Sequence, residues 1–279
     1  MVTSKSVNPN SQTTGNSAFA MPDLILLERD GAVARVTLNR PERLNAFTLA
    51  MWEDLGAVMA EVNRDDKIRC VVLSGAGGKA FGAGADIAEF QQVRYDAEQA
   101  RSYARVVDAA LEGLEHCPYP VVAAIAGPCM GGGLELALLC DLRICGAGAK
   151  FGIPIKRIGH CLPFSGLEAL VELAGRATAL EILLEGRVLG AEEALAKGLV
   201  TRVVPDDDLE QETEATAGRI ASGAPLAARW HKRFVRRTLD PTPLTEAERR
   251  EPFESCDTAD YREGIRAFLA KETPTFEGR

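Results

Sequence analysis

Histidine is scarce in this sequence: His116, His160 and His231 are the three among 279 residues, and their spacings are unrelated. Transition-metal sites draw on His and Cys at short fixed intervals, so no metal site is expected. The seven cysteines are an odd number without a Cys-x-x-Cys pair, which argues against a zinc ribbon or a thioredoxin-type motif. Most of them, Cys70, Cys140 and Cys145 included, stand in apolar surroundings, as small core residues do in a reducing compartment. A cytoplasmic location is therefore expected. No uninterrupted apolar run reaches the roughly 18–20 residues that span a bilayer. Excess positive charge is lacking too. With a net charge of −8, a general electrostatic hold on nucleic acid or an anionic membrane is not expected. An anionic small molecule would need a local basic patch. Lys232, Arg233, Arg236 and Arg237 offer one, with a solvated helix face as the competing reading.

What is present is ordinary globular composition, 46% hydrophobic and 26% charged, in a chain long enough for a substantial core. Residues 1–21 are rich in Ser, Thr, Asn and Gln. They lack the apolar stretch of a secretion signal and the Arg content of an organelle-targeting peptide. A disordered tail is expected there, with Met21 as an alternative start.

Two β-rich runs, Leu24–Glu28 and Val33–Asn39, flank Asp30-Gly31 and predict a hairpin. Leu49–Val62 has apolar residues at helical spacing. Cys70–Leu73 reads as a buried strand, Asp96–Glu115 as a polar helix ended by Pro118 and Pro120, and Val121–Ala126 as the next strand. An apolar helix over Leu134–Cys140 and a strand over Leu142–Cys145 follow, and beyond Ser165 helical patterns alternate with Gly and Pro. Repetition of strand, glycine-rich turn and helix predicts an α/β fold. The expected division is a core over 22–190 and a helical region over 191–279.

The first glycine-rich turn, Gly75–Gly84, has three readings. Gly75-x-Gly77-x-x-Ala80 formally fits a dinucleotide fingerprint, but no helix opens at once and the later acids Asp96 and Glu98 lie in a helical stretch. A phosphate-binding loop would need Ser or Thr after Gly78-Lys79, where Ala80 stands. The third reading is a backbone N–H donor site, where small residues let a carbonyl approach the main chain. Such a donor gains force from a second one, and Gly131-Gly132-Gly133 opens an apolar helix whose first N–H groups lack partners. Two preorganised donors around one developing oxyanion supply several kcal/mol of transition-state stabilisation. Glu135, three residues after Gly132, shares its helix face. It serves either as an acid/base beside a held carbonyl or as a first-turn acid facing the helix dipole.

These residues resemble the enoyl-CoA hydratase/isomerase (crotonase) family. The likeness rests on Leu38-Asn39-Arg40-Pro41-Glu42-Arg43-Leu44-Asn45-Ala46, on Phe81-Gly82-Ala83-Gly84-Ala85-Asp86-Ile87, and on Ala126 through Ala137 with its three consecutive glycines. Cys140-Asp141 and Phe151-Gly152-x-Pro154 follow in register. The resemblance implies a crotonase-like spiral of ββα units, a helical C-terminal trimerisation region, and a homotrimer or homohexamer. It implies an acyl-CoA substrate, with no cofactor beyond the coenzyme A it carries. It maps the oxyanion donors onto Ala85 and Gly132 and the acid/base onto Glu135. Coenzyme A contacts would come from Arg43, Leu44, Ala46, Ala83, Asp86 and Ile87, with Lys232 as a further candidate and Phe268 and Lys271 reaching in from a neighbouring subunit. By the same pattern Asp141 is structural.

One departure stands out. The family's hydratases place two glutamates around one water, and the second should follow Phe151-Gly152-x-Pro154, where this chain has Ile155. Hydration needs a base for water and an acid for the α-carbon, and isoleucine is neither. His160 is a candidate replacement, against a histidine that satisfies local backbone. Cys161 beside it has no orienting partner in the sequence. Hydration or dehydration of an enoyl-CoA is the favoured expectation. A double-bond isomerase needs only one carboxylate, the fold also hosts hydrolases, decarboxylases and dehalogenases, and a non-catalytic CoA-binding protein is the remaining alternative.

Overall fold

The hairpin forms where Asp30-Gly31 stands. In the computed structural model, which describes residues 23–279, β1 (Ile25–Asp30) pairs antiparallel with β2 (Val33–Leu38), Asp30 opposite Val33. The tail expected over residues 1–21 lies outside the described residues. Helix α1 (Leu49–Val62) begins at Thr48, whose side chain accepts from the Met51 amide at 3.2 Å, and buries Met51, Trp52, Leu55, Met59 and Val62. These positions fall along one stripe at helical spacing, which is why this segment is a helix. The strand β3 (Cys70–Gly75), a single turn α2 (Phe90–Val93) and α3 (Ala97–Glu115) follow. Asp96 caps α3 by accepting from the amides of Glu98 and Gln99, so its carboxylate is committed to a helix end.

The chain then alternates between two sheets. β4 (Val121–Ile125) enters the large sheet, β5 (Pro128–Met130) the small one, and α4 (Gly132–Leu138) closes the turn. β6 (Leu142–Gly146), β7 (Lys150–Gly152) and α5 (Phe164–Leu180), kinked at Gly175, repeat the pattern. β8 (Leu189–Gly190), α6 (Ala191–Ala196), β9 (Arg202–Val204) and α7 (Leu209–Ala221) come next. The last helices are α8 (Pro225–Arg237), α9 (Glu246–Glu254) and α10 (Ala259–Ala270). The large sheet runs β1-β2-β3-β4-β6-β9, parallel from β2 onward, and the small sheet runs β5-β7-β8. Single bridges Phe47–Ala85 and Gly82–Cys129 extend the second layer toward the earlier turns. The turns β4-β5-α4 and β6-β7-α5 thus contribute one strand to each layer and then a helix, the ββα repeat that was expected.

The sequence reading missed β5, β7, β8 and β9. Runs of two or three residues are too short to display a period of two. β9 and α7 lie beyond residue 190, yet β9 is the last strand of the large sheet. Leu209 and Ala217 of α7 pack under it with Val72, Val122 and Ile144. Buried Arg143 joins this segment to β6, donating from Nε to the Leu199 carbonyl at 2.9 Å. Packing therefore crosses the 190/191 boundary. Among the described residues no helix is long and apolar enough to cross a membrane.

Candidate active site

The first turn is held from inside by Asn45, which is fully buried with φ 55°. Its side-chain oxygen accepts from the Arg40 amide at 2.9 Å, and its amide nitrogen donates to the carbonyls of Ala76 and Ala80 at 3.1 and 2.8 Å. Farther along, the Phe47 amide donates to Gly84 O at 2.8 Å and the Asp86 amide donates to Phe47 O at 2.7 Å. In a parallel bridge of this form, the intervening residue directs its own N–H away from the partner strand. That residue is Ala85, and it lines a cleft.

The second turn meets the first backbone to backbone. A Cβ on Gly133 would lie 2.5 Å from Gly82 O, and one on Gly131 would lie 3.4 Å from Gly84 Cα. Gly131 takes φ 49° and ψ −124° before α4 begins. Gly132, the first residue of α4, has no intrahelical acceptor for its N–H. Neither the Ala85 nor the Gly132 N–H donates to a protein acceptor among the described residues, and both residues line the same cleft.

Glu135 projects into that cleft from α4, as do Trp52 from α1, Tyr103 and Asp108 from α3, and Arg94, Ile155 and His160 from the connecting turns. The Glu135 carboxylate makes no hydrogen bond to protein among the described residues. It keeps an opening onto the cleft and is enclosed elsewhere, and this desolvation raises its pKa to about 7. Arg94 pulls that value down and Asp108 pushes it up by smaller amounts. Burial, and then the Arg94 charge, lowers the pKa of His160, whose Nε2 lies against the Arg94 guanidinium. The His160 ring therefore serves a cleft cation and not the local backbone.

Of the expected contact residues, Ala83, Ala85, Ile87, Gly132 and Glu135 line the cleft. Arg43, Leu44, Ala46 and Asp86 stand on the framing loop without lining it. The Ala83 amide donates to Leu44 O at 3.0 Å, and Arg40 donates to Ala46 O at 2.8 Å. The Asp86 carboxylate pairs with Arg40 at 2.8 Å and caps the Ala88 amide, which holds its pKa below the ordinary range. Arg43 is exposed and meets no carboxylate among the described residues.

Lys232 requires a correction. Its ammonium is 2.7 Å from Asp141 and donates to Tyr119 O at 2.9 Å, with 8% of its side chain exposed. Tyr119 precedes β4 and Asp141 precedes β6, whereas both glycine turns follow their strands. Lys232 thus sits at the opposite end of the sheet from the cleft. Arg233, Arg236 and Arg237 are paired with Glu251, Glu115 and Glu248, so the basic patch is internally neutralised. Asp141, which also accepts from the Val121 amide at 2.7 Å, has the structural part expected of it. Phe268 and Lys271 end α10 and do not line the cleft of their own chain; Phe268 is 84% exposed. Cys161 is exposed.

Trp52, Arg94, Tyr103 and Asp108 were not named one by one from the sequence, although the last three fall in the Asp86–Ala110 stretch from which acyl specificity is expected. Trp52 and Tyr103 carry the ordinary signal of a buried helix stripe, and nothing local marks Arg94 as a cleft residue. Among the described residues no group of three His, Cys, Asp or Glu side chains could hold a metal ion. The arrangement can polarise one carbonyl oxygen with two N–H groups and move a proton at a neighbouring atom with a carboxyl that titrates near neutrality.

Residues 28–279 match the model of the enoyl-CoA hydratase/isomerase family. The chain is 37% identical over 260 residues to a probable enoyl-CoA hydratase of Mycobacterium bovis, covering 92% of this chain and 99% of that protein. It is 34% identical over 249 residues to a short-chain-enoyl-CoA hydratase of Clostridium acetobutylicum, covering 88% and 95%. A crystal structure of an enoyl-CoA hydratase/carnithine racemase from Magnetospirillum magneticum superposes with a TM-score of 0.91 at 52% identity, covering 93% of this chain and 97% of that one.

Proposed function

The chain belongs to the enoyl-CoA hydratase/isomerase family, and on that premise we propose that it adds water across the double bond of an enoyl-CoA thioester, and removes it in reverse, with Glu135 as its one acid/base. The thioester carbonyl lies between the N–H groups of Ala85 and Gly132. As water adds to the β-carbon, electron density moves onto the thioester oxygen, where the two donors stabilise it. Ionised Glu135 takes a proton from the water and, now a carboxylic acid, returns one to the α-carbon. The observation that carries the reading is Glu135 itself, facing the cleft without a hydrogen-bond partner among the described residues and with its pKa pushed up to about 7. A group poised there is present in both protonation states at neutral pH. The reaction asks for no cofactor beyond the coenzyme A of the substrate.

Ile155 favours a second reading. It lines the cleft at the position where the family's second glutamate is expected, so water has one carboxylate to address in place of two. A double-bond shift, in which one carboxylate removes and returns the same proton, demands less of the site. Arg43, Leu44, Ala46, Ala83, Asp86 and Ile87 are proposed to frame the coenzyme A. Phe268 and Lys271 would join them from a neighbouring subunit of a trimer or dimer of trimers.

The test is a panel of acyl-CoA thioesters assayed for hydration, double-bond shift and thiol release, with wild type and Glu135→Gln in parallel. Hydration lost in Glu135→Gln supports the first reading, and a double-bond shift without hydration supports the second. Full activity in Glu135→Gln would remove the acid/base role and leave a CoA-binding protein as the better description.

A further inference from the structure

Many guanidinium groups in this protein meet carboxylates, as Arg29, Arg35, Arg40, Arg187 and Arg237 do. Arg94 does not. It stands half-buried just beyond α2, lines the cleft, and lies within ion-pair distance of no carboxylate among the described residues. Among the described residues, the one hydrogen-bond partner of its side chain is His160 Nε2. The guanidinium lies over the rings of Phe90 and Tyr103, 4.9 and 5.1 Å from their centroids. Contact with two rings braces the group and leaves edge N–H donors free for a planar acceptor. Arginine carries five such donors.

Two further polar atoms on the cleft wall, Trp52 Nε1 and the Tyr103 hydroxyl, are buried on side chains that line the same cleft; they approach each other, without a well-formed hydrogen bond, and have no other partner among the described residues. The proposed chemistry uses none of the three groups, since the thioester oxygen goes to Ala85 and Gly132 and the proton to Glu135. A plain hydrocarbon chain entering here would strip water from Arg94 and offer nothing in return, which is costly for a buried charge. Asp108 faces the same cleft, but it accepts from the Ser165 hydroxyl at 3.0 Å and does not pair with Arg94.

We propose that Arg94 selects acyl-CoA thioesters whose acyl chain ends in a second carboxylate, which its free edge takes as a two-pronged partner. The inference rests on the reading of the cleft as an acyl-CoA site and adds the class of acyl group. His160 accepts from one corner of the guanidinium and holds the fork toward the incoming chain.

Saturated thioesters test this without any chemistry. Binding of glutaryl-CoA is compared with that of pentanoyl-CoA, which has the same number of carbons and no terminal charge. Succinyl/butanoyl and adipyl/hexanoyl pairs cover the neighbouring lengths. At least one diacid is expected to bind about tenfold or more tightly than its neutral counterpart, as a charge-assisted pair provides. In Arg94→Gln that ratio is expected to fall to within about twofold, because the charge and the fork are both gone. Should Arg94→Gln fail to fold, Arg94→Lys carries the test, with the preference reduced but not abolished by a point charge without a fork. Neutral thioesters that bind while no diacid exceeds its counterpart overturn the inference alone, as does a preference undiminished in either variant. Failure of every thioester to bind instead overturns the acyl-CoA reading on which it rests.

Discussion

The Met130 amide donates to the Gly82 carbonyl at 2.8 Å, and this bond joins the two glycine-rich turns. Gly82 is anchored in turn by donating to Pro128 O at 3.1 Å. The turns are far apart in sequence, yet their relative position is set by main-chain bonds that no side chain can relax. The N–H groups of Ala85 and Gly132 are preorganised for that reason, and preorganisation gives an oxyanion site its strength.

Gly132 can be tested by two substitutions read against each other. A Cβ there would lie 2.9 Å from Trp52 Cζ2, so Gly132→Ala disturbs the tryptophan but keeps the N–H. Gly132→Pro disturbs it comparably and removes the donor. The proline variant is expected to turn over about 100–1000-fold more slowly than the alanine variant. Equal rates in two folded proteins would exclude Gly132 as an oxyanion donor.

Glu135 should impose a pH profile. The ionised carboxylate is the active form for both water activation and proton abstraction, so kcat/KM is expected to rise through about pH 7. Stability runs the other way. Because the folded state holds the Glu135 proton more tightly than the unfolded chain, stability falls as pH rises from the ordinary carboxyl value of 4.5 to about 7 and then levels off. Glu135→Gln removes that loss. At pH 8 it should be more stable than wild type by at most on the order of 3 kcal/mol, while acyl-chain proton exchange disappears and thioester affinity is retained. Denaturant melts at pH 5 and pH 8 check the sign.

Ile155→Glu is expected to raise the rate of enoyl-CoA hydration, because the attacking water gains a second acceptor. The wild type should be slow on crotonyl-CoA. The new carboxylate is half-enclosed and lacks a designed partner, so a loss of about 1–3 kcal/mol of stability is expected beside the gain. A wild type that hydrates crotonyl-CoA as fast as good enzymes do would place the second function on another group, His160 first among them.

Removing Asp141 separates stability from activity. Asp141→Ala leaves the Lys232 ammonium buried without its carboxylate, which should cost roughly 3 kcal/mol. Because the pair lies at the far end of the sheet, KM for the thioester in the folded variant should be unchanged. A large rise in KM at unchanged stability would restore Lys232 to the substrate.

Phe268, Leu269, Ile265 and Tyr261 leave an apolar face of α10 open in the single chain. Burying such a face is the usual reason subunits associate. Light scattering at micromolar concentration is expected to give the mass of a trimer or of a dimer of trimers, and a monomer would refute the assembly.

Much of this protein was legible without coordinates. Leu49–Val62 and Ala97–Glu115 are helices because stripe and cap are local properties, set by residues three or four apart. The two glycine turns and Glu135 could be read for the same reason: a donor at a helix start and an acid three residues later need only one turn of geometry. The strands β5, β7, β8 and β9 were not legible, since two or three residues carry no period and each exists through the partner it pairs with. Lys232 and Arg94 mark the same limit for charge. The sequence offered Lys232 as a cation for the substrate and did not single out Arg94, yet the folded chain gives Lys232 to Asp141 and leaves Arg94 in the cleft with no carboxylate partner among the described residues. Which charges meet depends on segments a hundred residues apart being brought together. The value of about 7 for Glu135 likewise belongs to the fold, because desolvation is imposed by everything packed around a group and by nothing in its own residue type.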